Sequence, residues 1–264
     1  MTEPTLLLGD CLEHLRAMPD GCIDLTVTSP PYDTLRRYNG YSFDFESIAR
    51  ELYRVTKPGG VVVWVVGDAT VKGSETGASF RQALHFKDVC GFNLHDTMIY
   101  RKPGTGACGS RLSYWQAFEF MFVLSKGRPK TINLLCDRPN SKFGSKTTNT
   151  RGRVAVDGAV KDERFRLTPE FSIRQNVWDI QPGNRAEDRT GHPAVFPEAL
   201  AADHIASWSN PGDVVFDPFM GSGTTGKMAV LSGRRFVGCE ISAEYLSIAA
   251  ARIDAARDLL TDAA

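Results

Sequence analysis

The sequence predicts an α/β fold: a doubly wound, mostly parallel sheet with helices on both faces, an antiparallel edge strand and one inserted region. Three observations carry this expectation. Short apolar runs alternate with helical periods along most of the chain. Near the carboxyl end a strand leads into the glycine-rich turn Gly221, Gly223, Gly226 and then a helix. Between Lys126 and Arg166 the alternation stops, in a basic stretch rich in Gly, Ser, Thr, Asn and Pro that has no sustained hydrophobic period.

Element by element, Thr5–Gly9 reads as a short strand leading to Asp10, and Cys11–Met18 as a helix with Leu12 and Leu15 on one side. Ile23–Thr28 is a strand that ends in Ser29-Pro30-Pro31-Tyr32. Phe45–Val55 is a helix whose Ile48, Leu52 and Val55 share a face, stopped by Lys57-Pro-Gly-Gly60 before the strand Val61–Gly67. Phe80–Cys90 reads as a helix, Asp96–Tyr100 and Phe118–Leu124 as strands, and Pro197–Trp208 as a helix. Only a loop separates the last two strands, so Phe118–Leu124 is expected to be the antiparallel edge. Asp213–Phe216 and Arg235–Cys239 are strands around the helix Lys227–Ser232, and an amphipathic helix runs from Ala243 onward. Ligands of such sheets lie beyond the carboxyl ends of the strands, which directs attention to Asp10, Ser29 to Tyr32, Asp68, Asp217 to Gly226 and Glu240.

The 264 residues carry 31 Lys+Arg and 31 Asp+Glu, a formal net charge of zero, with 42% hydrophobic and 23% charged residues. This is the composition of an ordinary globular chain and excludes wholesale disorder. The densest apolar run, Val61 to Val66, is far shorter than the ~20 residues of a membrane-crossing helix. Glu3 and Pro4 interrupt the amino terminus, which lacks the basic start of a secretory signal, so a cytoplasmic location is expected. Six cysteines are too scattered for a Cys-x-x-Cys metal site and read as free thiols.

Neutrality conceals an asymmetry. Lys126 to Arg166 holds 11 Lys+Arg against four Asp+Glu, a net of +7 that leaves −7 for the remainder. Either this is a solvated basic loop or it is a surface for a polyanion.

Gly221, Gly223 and Gly226 match G-x-G-x-x-G, and Glu240 ends the next strand, 19 residues beyond Gly221, where a carboxylate can accept both hydroxyls of a ribose. A phosphate-binding P-loop is nearly spelled by Gly221 to Lys227, but Met228 stands where a hydroxyl must hold magnesium. A dinucleotide turn would set Asp217 against pyrophosphate. Asp217 instead suits a ligand with a positive amino group, a ribose for Glu240, and an adenine to pack on Phe219 or Ile241. S-adenosylmethionine has these parts and no phosphate. Asp10, with Cys11 beside it, lies at the end of a neighbouring strand and lines the same expected pocket.

In Ser29-Pro30-Pro31-Tyr32 two prolines fix φ and remove two backbone donors, leaving carbonyls free to accept. Methylation of an aromatic amine needs acceptors that hold the amino hydrogens while nitrogen pyramidalises. Ser29 Oγ and the Pro30 carbonyl are candidates, with Tyr32 as a face on which a base stacks.

Together these segments resemble the amino-group DNA methyltransferases: Thr28-Ser-Pro-Pro-Tyr32 is similar to their catalytic motif and Asp217-Pro-Phe-Met-Gly-Ser-Gly-Thr-Thr225 to their cofactor motif. Catalytic motif first and cofactor motif last is the order of the permuted β group. The resemblance extends to Leu8-Gly-Asp10, Leu52 to Gly60, the Phe118–Gly127 strand and Asn176-Val-Trp-Asp179, covering most of the chain outside the basic insert. It implies a Rossmann-like core that uses S-adenosylmethionine and no metal. It further implies that Asp217, Pro218, Phe219, Gly221, Ser222, Gly223, Thr224 and Thr225 hold the methionine and adenine ends of that cofactor. Glu240 and Ile241 fall to the ribose and adenine side with Asp10, Cys11 and Thr28, while Gly191 to Phe196, His192 and Phe196 in particular, form a further wall.

On this reading residues 1–125 are the catalytic half of the core, 126–190 a basic target-recognition insert and 191–264 the cofactor-binding half. The partner is double-stranded DNA, the target base is flipped out of the duplex, and the family's frequent dimers make a homodimer the expectation. Lys142, Lys146, Arg151 and Arg153 are expected on phosphates or base edges, joined by Arg101, Lys102 and Arg111. Ser29 leans toward N4 of cytosine, since Ser-Pro-Pro is common in that subgroup. The longer context, Tyr32 to Gly40 and Val65 to Ser74, resembles phage-type and solitary bacterial methylases of adenine, and N6 of adenine is narrowly preferred. The chain has no Pro-Cys for attack at ring carbon 5 of cytosine. A nucleic-acid-binding protein without catalysis, or a methylase of RNA or a protein amide, is the alternative of a different class.

Overall fold

The structure is a computed structural model, which describes residues 3–31, 43–104, 114–148, 165–182 and 197–262. In chain order its elements are β1 (Thr5–Leu8), α1 (Cys11–Ala17), β2 (Ile23–Thr28), α2 (Phe45–Val55), β3 (Thr56–Val66), β4 (Thr70–Val71), β5 (Ser74–Glu75), α3 (Ala78–Asp88), β6 (Asn93–Arg101), β7 (Phe118–Ser125), β8 (Arg138–Pro139), β9 (Lys146–Thr148), β10 (Phe165–Leu167), β11 (Phe171–Ser172), β12 (Val177–Asp179), α4 (Glu198–Trp208), β13 (Val214–Asp217), α5 (Thr224–Leu231), β14 (Arg235–Glu240) and α6 (Ala243–Asp262). Contacts gather them into two units: 1–133 with 176–264, and Leu134–Gln175.

The first unit is built on an eight-stranded sheet in the order β1-β14-β13-β2-β3-β7-β6-β12. The β7 strand runs antiparallel to both β3 and β6, and every other pairing is parallel. The mostly parallel α/β sheet is thus the one expected from the sequence. The antiparallel strand, however, is not the edge: β6 and β12 continue the sheet beyond it. Its residues explain this, because Met121, Phe122, Val123 and Leu124 are all buried, which an edge strand with one open side does not require.

The core follows from the apolar strands. Val61 to Val66 of β3 are buried on both faces of the sheet, and Trp64 among them satisfies its indole by donating to Gln82 Oε1 at 2.8 Å. Ile48, Leu52 and Val55 of α2 cover one face with Phe86 of α3. Helix starts obey capping: Asp10 accepts from the Leu12 amide at 2.7 Å, and Asp44 from the Ser47 amide at 3.2 Å. Helix α3 has Gly77 at its N-cap, which offers no side chain, and Asp68, two residues beyond β3, accepts from the Ser79 amide instead at 3.0 Å.

Some boundaries differ from expectation. Lys57 to Gly60 are already part of β3, and a register shift between Ile23 and Leu25 of its neighbour absorbs the extra length. Helix α5 starts at Thr224, a turn earlier than the periodicity suggests, since Gly223 caps it in the left-handed region at φ 79°. The second unit, described by itself, holds two short antiparallel ladders, β8 with β11 and β9 with β10.

Candidate active site at the carboxyl edge of the sheet

Because β1, β14, β13, β2 and β3 are parallel, their carboxyl ends share one edge of the sheet. The chain leaves β13 toward β14 and leaves β2 toward β3, in opposite directions along the sheet. The switch of direction falls between β13 and β2, where open α/β sheets bind their ligands. Thr28 ends one of these strands and Asp217 the other, so the Ser-Pro-Pro turn and the glycine loop emerge side by side.

A hydrogen bond joins them: Thr28 Oγ1 donates to Asp217 Oδ1 at 2.7 Å, and the Phe219 amide donates to the same oxygen at 3.0 Å. Asp217 is buried, and burial pushes its carboxyl up to about 6, opposed by hydrogen bonds from Thr28, Thr225 and the Phe219 amide. The protein holds a carboxyl here that ionises near neutrality and has little solvent to stabilise its charge. That is the setting in which a ligand cation is drawn to a site.

The glycine loop is packed as tightly as its spacing suggests. A Cβ at Gly223 would lie 2.9 Å from Ala249 Cα, and one at Gly226 would lie 2.5 Å from Ile253 Cδ1 and 2.6 Å from Phe236 Cε1. The first glycine lets α6 approach the loop, and the second lets α5 sit against β14. Glu240 closes the loop from the other strand: its Oε2 accepts from the Gly221 amide and its Oε1 from the Ser242 amide, each at 2.8 Å. The carboxylate thus shapes the loop, and each oxygen keeps a further lone pair.

Asp10 lies on the same edge, since Leu8 pairs with Glu240 and the Gly9 amide donates to the Glu240 carbonyl at 2.9 Å. Its neighbour Cys11 is buried, and burial together with the charge of Asp10 pushes the thiol up to about 12. Cys11 is therefore a neutral thiol within the core cluster. Phe219 turns its ring edge-on to Phe43, with centroids 5.7 Å apart, and lies 6.2 Å from Trp64. Its ring is engaged with the core cluster, while Ile241, next after β14, is half-buried. Pro30 is buried, and Ser29 and Pro31 are half-buried.

Of the candidate residues, Tyr32, Arg111, Arg151, Arg153, His192 and Phe196 lie outside the described residues. Arg101 and Lys102 are engaged within the protein: Arg101 grips Asp179 with two nitrogens, and Lys102 pairs with Glu119. Lys142 and Lys146 are exposed.

A second support of the loop has no local signal in the sequence. Arg252 of α6 donates to the Ser222 carbonyl at 2.6 Å, to Ser222 Oγ at 3.0 Å and to Thr224 Oγ1 at 3.3 Å. Its other nitrogen reaches Glu198 Oε1 at 2.9 Å, which also accepts from Lys227 Nζ at 2.7 Å. These partners are far apart in the chain and meet only in the fold.

A buried carboxyl and a glycine loop thus stand at the switch point beside a strand that leads into Ser-Pro-Pro, the arrangement expected of a methyl-transfer enzyme. The chain matches the DNA methylase family over residues 23–251 and belongs to it. It is 59% identical over 251 residues to the orphan methyltransferase M.BamHII of Bacillus amyloliquefaciens, covering 93% of this chain and 90% of that one. It is 28% identical over 266 residues to the DNA adenine methyltransferase YhdJ of Escherichia coli K12, covering 96% and 83%. Among solved structures, the cytosine-N4-specific PvuII DNA methyltransferase superposes with a TM-score of 0.72 at 22% identity, covering 99% of this chain and 92% of that one. Other solved relatives in fold are complexes with S-adenosyl-L-methionine. The protein is thus a DNA methyltransferase that acts on an exocyclic amine, with S-adenosylmethionine as its methyl donor.

Proposed function

We propose that this methyltransferase modifies N6 of adenine in double-stranded DNA, with Ser29, Pro30, Pro31 and Tyr32 at the amine and the Asp217–Thr225 loop at the cofactor. The observation that carries this division is the bond between Thr28 and Asp217, which sets the two motifs side by side at the switch point. S-adenosylmethionine supplies an electrophilic methyl group on a sulfonium.

The chain's own groups do the rest. Asp217 offers a negative charge to the positive methionine end, Gly221, Ser222, Gly223, Thr224 and Thr225 form its cradle with Pro218 behind them, and Glu240 with Asp10 faces the ribose and adenine. Thr28, Cys11, Phe219 and Ile241 supply walls, with His192 and Phe196 assigned by sequence. Ser29 Oγ and the Pro30 carbonyl accept the two amino hydrogens, which frees the nitrogen lone pair for in-line attack, and Tyr32 stacks on the flipped base.

Residues 126–190 form the target-recognition insert, where Lys142 and Lys146 hold phosphates together with Arg111, Arg151 and Arg153. Arg101 and Lys102 join them only when their pairs with Asp179 and Glu119 open to DNA. Residues 1–125 and 191–264 are the catalytic and cofactor-binding halves. The enzyme works as a homodimer in the cytoplasm; among the described residues no helix is long and apolar enough to cross a membrane.

Adenine is supported by the relative YhdJ. Ser29 favours the second reading, N4 of cytosine, as does the fold neighbour that is cytosine-N4-specific. Incorporation of labelled methyl into DNA, followed by nucleoside chromatography, separates them. The expected product is N6-methyladenine, and a peak at N4-methylcytosine overturns the choice of base.

A further inference from the structure

We propose that Phe143 enters the base stack of the bound duplex, with Lys142 and Lys146 on the flanking phosphates. This rests on the reading of the insert as the DNA-contacting region. Phe143 sits on the connection from β8 to β9, and that connection is fixed. The Phe143 amide donates to the Asn140 carbonyl at 3.2 Å, and the Ser145 amide to the Lys142 carbonyl at 3.1 Å. The Asn140 amide donates to the Glu170 carbonyl at 2.9 Å and the Gly144 amide to the Thr168 carbonyl at 3.0 Å, which ties the turn to the segment between β10 and β11. Asn140 is held again through its side chain, donating to the Pro169 carbonyl and accepting from Ser172 Oγ, each at 2.8 Å.

From this braced turn the Phe143 ring projects 64% exposed, and among the described residues it meets no other aromatic ring. Isolated exposed apolar side chains are common on protein surfaces. This one is distinguished by its neighbours. Lys142 and Lys146 are exposed, and among the described residues neither has a carboxylate within salt-bridge distance. The same unit pairs a cation where it needs one for itself, as Arg174 is held by Asp137. A braced turn that carries one exposed flat apolar side chain, with Lys142 next to it in the chain and Lys146 three positions on, matches a polyanion whose interior is a stack of flat rings.

DNA is that polyanion. Stacking of a base on an aromatic ring tolerates any sequence, and apolar wedges enter between steps that are unstacked. Phe143 is therefore a positioning residue: it holds the duplex and takes no part in the chemistry.

The test compares Phe143→Ala and Phe143→Trp with the wild type in methyl incorporation into plasmid DNA. Phe143→Ala should raise KM for DNA about 10- to 100-fold, with cofactor affinity and the salt slope of DNA binding unchanged. Phe143→Trp should keep KM near the wild-type value, and its added indole emission should be quenched when plasmid DNA binds. Lys142→Ala and Lys146→Ala should each lower the salt slope by about one. A KM for Phe143→Ala within twofold of wild type, or indole emission indifferent to DNA, overturns the proposal. Unchanged salt slopes in both lysine variants overturn the reading of the insert itself, and absence of methyl incorporation by the wild type overturns the enzymatic reading.

Discussion

Thr28 and Asp217 stand 189 positions apart, yet Thr28 Oγ1 donates to Asp217 Oδ1 at 2.7 Å in the buried centre of the sheet edge. The last residue of β2 thus opposes the rise that burial imposes on the carboxyl at the end of β13. The strand before the Ser-Pro-Pro turn and the strand before the glycine loop are joined through one hydroxyl.

Thr28→Val keeps the shape of that residue and removes the donor. A buried acceptor that loses a partner costs about 1–3 kcal/mol. Because the Thr28 bond is the largest force holding the Asp217 carboxyl down against burial, its midpoint should also rise above about 6. Chemical denaturation reads the first effect and the pH profile of cofactor binding the second; Thr28→Ser should restore both.

The sign of that pH profile follows from Asp217. Its carboxyl is raised in the folded protein from 3.8 to about 6. Its contribution therefore favours folding at pH below about 4 and is lost as pH rises through about 6. Cofactor binding responds oppositely, since a cationic methionine end prefers the ionised carboxylate. Affinity should weaken about tenfold per pH unit below the midpoint, and Asp217→Asn should bind weakly with a flat profile. Isothermal titration across pH 5–8, a window bracketing the raised value, measures both. A wild-type affinity independent of pH would falsify the role.

Ser29→Ala should separate chemistry from binding. Loss of one preorganised group at a reacting centre lowers kcat by on the order of 10². The proposed cofactor cradle, Asp217 to Thr225 with Glu240, does not include Ser29 Oγ, so the dissociation constant for S-adenosylmethionine should stay within twofold. Equal loss of turnover and cofactor affinity would contradict the proposed division between the turn and the loop.

Arg252→Lys should loosen the loop without emptying the core. A single ammonium cannot span Ser222 and Thr224 on one side and Glu198 on the other, as the guanidinium does. Glu198 keeps Lys227, so no carboxylate is stranded. Cofactor affinity should fall several-fold, by about 1 kcal/mol for each hydrogen bond lost, with KM for DNA unchanged. Parallel titrations of the two substrates distinguish this from general destabilisation.

The alternation of apolar strands and helices, the glycine loop and the Ser-Pro-Pro turn were legible in the sequence because each is a local demand. Gly223 stands at φ 79° with no room for a Cβ, and Pro30 and Pro31 restrict a strand end wherever it lies. Glu240 was found by its distance from the glycines. Its ties to the Gly221 and Ser242 amides were not, since backbone partners leave no mark on residue type.

Other relationships belong to tertiary structure alone. Strand β7 lies inside the sheet because β6 and β12 extend beyond it, and no periodicity within Phe118–Ser125 counts the strands on its far side. Arg101 and Lys102 read as cations open to DNA, but Asp179 and Glu119 neutralise them from other strands. Glu198, Lys227 and Arg252 become one network only when α4, α5 and α6 converge beneath the glycine loop. By itself the sequence determined which residues could serve a methyl-transfer site, since backbone geometry and functional groups are properties of single residues and short motifs. Which of them meet, and how each charge is compensated, was decided by the order of the strands, because hydrogen bonds and ion pairs act over a few ångströms of space, whatever the separation along the chain.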